Sequence, residues 1–131
     1  MSKVAIVTGG TSGIGRATAL ALQSDGYTVY ELSRRPQGMA DVRHIVADIT
    51  KEDTLSAAVE QVMAAEGHID LVVNNAGFGI SGAIEFTTTE EAQRLFDANF
   101  FGMVRMNRCV IPLLRAQGSG RIINLSSVAA P

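Results

Sequence analysis

The chain has 131 residues, a formal net charge of −2, 47% hydrophobic residues and a single cysteine. That length supports one domain with a real core, and the mild negative charge argues against nucleic acid, which demands a basic face. Cys109 alone can form no internal disulfide and suits a reducing cytosol, and no apolar run reaches the length of a signal-peptide core or a membrane span. No repeat, low-complexity tract or Pro/Ser linker divides residues 1–131. The expectation is therefore a single cytoplasmic domain with no membrane partner, no nucleic-acid partner and no metal site.

Val4-Ala5-Ile6-Val7 reads as a buried strand, and the Ala/Leu-rich stretch from about Gly15 to Ser24 reads as a helix that Asp25-Gly26 ends. Between them lies Thr8-Gly9-Gly10-Thr11-Ser12-Gly13-Ile14-Gly15, a glycine-rich strand-to-helix turn. Free N–H groups and the positive end of a helix dipole converge at such a turn, and glycine lets an anion approach the main chain. The Gly-x-x-x-Gly-x-Gly spacing departs from the Gly-x-Gly-x-x-Gly fingerprint, and the absence of a lysine after the last glycine separates it from the Walker loop.

With Thr8 at its head, this turn resembles that of the short-chain dehydrogenases/reductases. The resemblance implies an α/β chain: a Rossmann-like, doubly wound parallel sheet of order 3-2-1-4-5, truncated here after its fifth strand. It also sets Gly9, Thr11, Ser12, Gly13, Ile14 and Gly15 against the diphosphate of a nicotinamide dinucleotide.

Tyr27 to Leu32 is rich in strand formers and reads as the second strand. In dinucleotide folds an acidic residue at its carboxyl end bonds the ribose 2′-hydroxyl. Here Ser33 occupies that slot and Arg34 follows, offering a hydroxyl and a guanidinium to a phosphate. The pattern favours NADP(H) and leaves NAD(H) possible, since a register slip would turn Arg34 and Arg35 into a plain solvated loop.

Pro36 to Asp41 is too short and broken for a crossover helix, and Val42 to Ala47 reads as the third strand. Members of the family commonly carry a helix here, so its place is taken by a thin loop. The resemblance implies that Asp48 and Ile49 contact the adenine; Thr50 with Asp53 has capping-box spacing for the next helix. Residues 51–66 carry Leu55, Val59, Val62 and Met63 at helical spacing. Ile69 to Val73 is the fourth strand and runs into Asn74-Asn75-Ala76-Gly77, a second family element in which Asn75, Ala76 and Gly77 border the adenosine ribose.

Thr88 and Glu91 show capping-box spacing for a further helix that carries Leu95, Phe96 and Asn99, continues or restarts through Val104, and ends before Gly118. The resemblance makes Asn99 an active-site asparagine whose backbone holds a water. Pro112 is expected to bend this helix. Phe100, Phe101, Met103, Met106 and Val110 exceed one core face, which suggests packing on a partner chain in a homo-oligomer, with core packing the default for each residue taken singly. Gly120 to Val128 is the fifth strand, and the resemblance gives Ser127 the substrate carbonyl to orient, with Ser126 second.

Family chemistry is hydride transfer between nicotinamide and a small carbonyl or alcohol substrate, and it needs a Tyr-x-x-x-Lys pair. The only tyrosines are Tyr27 and Tyr30 and the only lysines Lys3 and Lys51. The chain is thus expected to be the amino-terminal, cofactor-holding part of an NADP(H)-dependent oxidoreductase, inactive by itself, with the fifth-strand edge exposed. The alternative is a non-catalytic nucleotide-binding module, complete as given.

Overall fold

The computed structural model describes residues 2–11, 13–80 and 82–126. Five short strands, β1 (Val4–Thr8), β2 (Thr28–Ser33), β3 (Arg43–Val46), β4 (Leu71–Asn74) and β5 (Arg121–Asn124), form one parallel sheet in the order β3-β2-β1-β4-β5. The expected strand order is therefore the observed one. Helices α1 (Gly13–Ser24), α2 (Glu52–Glu66), α3 (Thr89–Phe96) and α4 (Gly102–Gln117) connect the strands, with a 3-10 turn at Ile84–Phe86 and a π turn at Asp97–Phe101.

Alternation along the strands divides the core in two. Val4, Ile6, Leu32, Ile45 and Val72 face α2 and α4 and meet Leu55, Val59, Val62, Met106 and Val110. Ala5, Val7, Val29 and Val73 face the other way and pack on Ala19, Leu20 and Leu22 of α1. With helices on both faces, β1 is buried throughout, which is why it reads as an unbroken apolar run. On the α1 face, the β2–β3 loop takes the place of a helix by tucking Met39 and Val42 against the sheet.

Several expectations are corrected. Helix α1 begins at Gly13, two residues before the expected start. Thr50 does not cap α2: its hydroxyl and N–H both donate to Asp48 Oδ1, at 2.7 and 2.9 Å, and the N-cap is Lys51, with no side-chain cap bond. The short Asx-type turn wins because Asp48 lies close enough to satisfy both Thr50 donors locally. Thr54 supplies the clasp instead, accepting from the Asp48 N–H at 2.9 Å and donating to the Lys51 carbonyl at 2.7 Å.

Met106 and Val110 take the default reading and are fully buried against the sheet, whereas Phe100 and Phe101 remain 48% and 49% exposed. Thr88 does cap α3, accepting from the Glu91 N–H at 3.1 Å. Helix α4 runs on past Pro112 to Gln117 and ends at Gly118 in the left-handed conformation, and a π turn precedes it. Gln117 then pairs with both backbone groups of Ile69, accepting at 3.0 Å and donating at 2.9 Å, and so ties the end of α4 to the segment entering β4. Cys109 is half-buried against the core, where burial, followed by the charge of Glu52, raises its thiol pKa above the usual value; it is a packing residue.

Because Met106 is wholly enclosed, truncating it leaves a cavity between α4 and the sheet. Met106→Ala is expected to cost about 2–5 kcal/mol in denaturant unfolding. A loss well below ~1 kcal/mol would show that this face of α4 does not hold the fold together.

Candidate functional site

The order of the sheet reverses between β1 and β4, so connections leave in opposite directions and open a crevice at the carboxyl ends of the strands. Thr8, the last residue of β1, organises it. Its hydroxyl oxygen accepts from the N–H groups of Asn75 and Ala76, both at 3.0 Å, while the Asn75 amide donates back to the carbonyls of Thr8 at 3.2 Å and Gly9 at 3.0 Å. From the other side, the Gly9 N–H donates to the Leu32 carbonyl at 2.8 Å. The glycine turn is thereby bolted to β4 and β2 together.

Side chains would spoil this. Gly9 has φ +66°, and a Cβ on it would lie 2.9 Å from Ala76 Cα; on buried Gly15 a Cβ would overlap the Asn75 amide and the Gly9 carbonyl. Helix α1, which springs from the turn, has no acidic residue in its first turn, leaving its positive end free for an anion.

A cleft of about 1060 Å³ follows, and it gathers Gly9, Thr11, Ile14, Ser33, Arg34, Asp48, Ile49, Asn75, Ala76 and Gly77. Gly13 and Gly15 shape the turn without lining the cleft. Ser12 and Ser127 lie outside the described residues. Asn99 sits on the π turn, where its amide clamps the Phe78 backbone, accepting from the N–H at 2.9 Å and donating to the carbonyl at 2.7 Å.

At the β2 end, the Ser33 hydroxyl is buried and has no hydrogen-bond partner among the described residues. Arg34 is exposed beside it. Just past the neighbouring end of β3, burial by itself would raise the Asp48 pKa, but the hydroxyl and N–H of Thr50, with the charges of Arg34 and Lys51, lower it overall. The carboxylate is therefore kept ionised, and both Thr50 bonds engage Oδ1, sparing Oδ2. Ile49 is fixed from behind: Arg105 donates to its carbonyl at 2.9 Å and to that of Asp97 at 3.0 Å, and pairs with the Asp97 carboxylate. Asn74 ties the neighbouring strand, donating at 2.8 Å to the amide oxygens of Asn107 and Asn124.

Arg35 and Arg94 also line the cleft. Nothing in the local pattern points to Arg94, because only the packing of α3 brings it there. Thr8 carries a signal of its own, a hydroxyl at the end of an otherwise apolar strand.

A family model described as short chain dehydrogenase matches residues 3–131. The chain belongs to the short-chain dehydrogenase family. Among the curated relatives, a 3-ketodihydrosphingosine reductase from Bacteroides thetaiotaomicron is 41% identical over 96% of this chain and 47% of its own length. Among solved structures, a short-chain dehydrogenase from Streptomyces avermitilis superposes with a TM-score of 0.91 at 37% identity, over 97% of this chain and 50% of that one. An actinorhodin polyketide ketoreductase variant with NADPH gives 0.90 at 29% identity, over 96% of this chain and 53% of that one. The short-chain dehydrogenase chain thus spans about half the length of the curated relatives it matches. No described helix is long and apolar enough to cross a membrane.

The Asp48 geometry has a pH consequence. Its folded-state pKa lies below the ordinary ~3.9, so its stabilising contribution is present above that value and is lost as pH falls through the folded-state one. Asp48→Asn is expected to be less stable than the parent at neutral pH and to show a shallower loss of stability from about pH 4 downward. Parallel acid limbs, followed by circular dichroism at fixed denaturant, would exclude that role.

Proposed function

We propose that this chain is the coenzyme-holding part of an NADP(H)-dependent oxidoreductase that moves a hydride between nicotinamide and a carbonyl or alcohol. The observation that carries the coenzyme choice is the orphaned, buried Ser33 hydroxyl in the cleft, with Arg34 beside it and no carboxylate in the slot that follows Leu32. A buried hydroxyl without a partner is costly, and a 2′-phosphate would satisfy it while the guanidinium supplies a charge-assisted bond. Glu31, the acid nearest that slot, is fully buried and bonded to His44, so it is unavailable to a ribose hydroxyl.

The same reading distributes the rest of the coenzyme. The turn from Gly9 to Gly15, including Thr11, Ser12, Gly13 and Ile14, would hold the diphosphate on backbone N–H groups. Asp48 would accept from the adenine amine, with Ile49 against the ring, and Asn75, Ala76 and Gly77 would border the ribose. The nicotinamide supplies the hydride when bound. Ser127 would orient the substrate oxygen, Asn99 would hold a water through its backbone, and the tyrosine and lysine that move the proton would come from outside these residues. On this reading the 131 residues bind nucleotide without turning it over. The similarity to a ketoreductase variant solved with NADPH supports the choice of coenzyme.

Self-association belongs to the proposal. Phe100 and Phe101 are 48% and 49% exposed, and Ile123 and Leu125 are each 40% exposed on β5 and just after it, an edge unpaired on its outer side among the described residues; such apolar surface favours a second chain. Light scattering should give a mass of at least a dimer; a monomer at micromolar concentration would remove this part.

Calorimetric titration with NADPH and NADH tests the coenzyme choice. NADPH should bind more tightly, and Arg34→Asp should weaken it by about tenfold or more, the value of one charge-assisted bond exchanged for repulsion, with NADH little changed. Equal affinities in the parent protein would overturn the NADP(H) assignment.

A further inference from the structure

Beneath the glycine turn lies a carboxylate that the coenzyme reading does not use. Glu31 is 0% exposed, and its Cγ lies 2.7 Å from where a Cβ on Gly10 would stand. It faces His44, its register partner on β3, with Oε2 2.5 Å from Nδ1; Oε1 has no partner among the described residues. The other imidazole nitrogen, Nε2, lies 2.6 Å from the Arg35 carbonyl. The β2–β3 loop closes over the ring at Gly38, where a Cβ would come within 2.5 Å of His44 Cβ.

Donor and acceptor chemistry settles where the protons are. A carbonyl can only accept, so Nε2 donates to Arg35. A proton must then also lie between Nδ1 and Oε2, carried by an imidazolium facing a carboxylate or by a carboxylic acid facing a neutral ring. Either way the pair has no net charge, and an anion above the turn meets no uncompensated negative charge from below. The chain Glu31–His44–Arg35 carbonyl therefore runs from the sheet interior to the backbone next to Ser33 and Arg34, in a loop that lacks a helix to hold it.

We propose that His44, buttressed by Glu31, is a positioning residue for coenzyme selection: it fixes the Arg35 carbonyl and so sets the backbone that presents Ser33 and Arg34 to the 2′-phosphate. This inference rests on the NADP(H) reading above. A side chain that merely glues β2 to β3 would affect both coenzymes alike, whereas a positioning role acts on the 2′-phosphate alone.

The test is the ratio of NADPH to NADH dissociation constants in the intact protein, with folding checked by thermal unfolding. His44→Asn made together with Glu31→Gln keeps an uncharged link between β2 and β3 beneath the turn but is too short to reach the Arg35 carbonyl; it should weaken NADPH about fivefold to tenfold, as expected for one lost positioning bond, with NADH within about twofold. Glu31→Gln can restore the chain without the shared proton, its amide donating to Nδ1 while Nε2 still donates to Arg35, and it should retain the parental ratio. A ratio unchanged in the double variant relative to Glu31→Gln, or equal weakening of both coenzymes, overturns the positioning role while leaving the NADP(H) reading intact. A parent protein with no NADPH preference overturns both.

Discussion

The site depends on one reciprocal set of hydrogen bonds, between Thr8 and the Asn75-Ala76 backbone and between the Asn75 amide and the carbonyls of Thr8 and Gly9. These bonds join the ends of the two strands between which the sheet order reverses. They also consume the polar groups that a strand end leaves unpaired, so the turn above can be built of bare backbone without orphaned donors beneath it. Gly9 and Gly15 are the steric counterpart, since each stands where a methyl group would meet Ala76 or Asn75. The turn is thus rigid at its base and open on its outer side, as anion binding to backbone amides requires.

A second constraint is electrostatic. Arg34, Arg35 and Arg94 line the cleft, and the carboxylates nearby are each restrained: Asp48 by Thr50, Asp97 by Arg105, and Glu31 by His44. Asp48 keeps its charge, since Thr50 is neutral, but three guanidinium groups line the cleft against two carboxylates, one of them paired with Arg105, so the field there suits an anion. Arg105 adds a mechanical link, because its guanidinium reaches the Ile49 carbonyl as well as Asp97 and so couples the wall after β3 to the π turn.

Asparagines perform the equivalent task at the far side of the crevice. Asn74 is 8% exposed and bridges α4 and β5 through Asn107 and Asn124; Asn99 holds the segment after β4 by the Phe78 backbone. An amide carries both donor and acceptor without charge. It can therefore replace ladder bonds where a parallel strand ends, without the desolvation cost of an ion.

The sequence by itself determined the order of elements and marked the glycine turn and the Asn74-to-Gly77 segment, because those features rest on periodicity and on residue types that few other backbones need; the parallel sheet and its strand order followed from the family resemblance that those two segments carry. It could not locate partners far apart in the chain. Phe100, Phe101, Met103, Met106 and Val110 outnumber one core face, and only the packing of α2 and the sheet encloses Met106 and Val110 while Phe100 and Phe101 stay exposed; nothing local marks Glu31 and His44 as a pair or brings Arg94 to the cleft. Only tertiary structure decides these, because each depends on which of several competing hydrogen bonds or contacts becomes available once β2, β3 and the helices are packed.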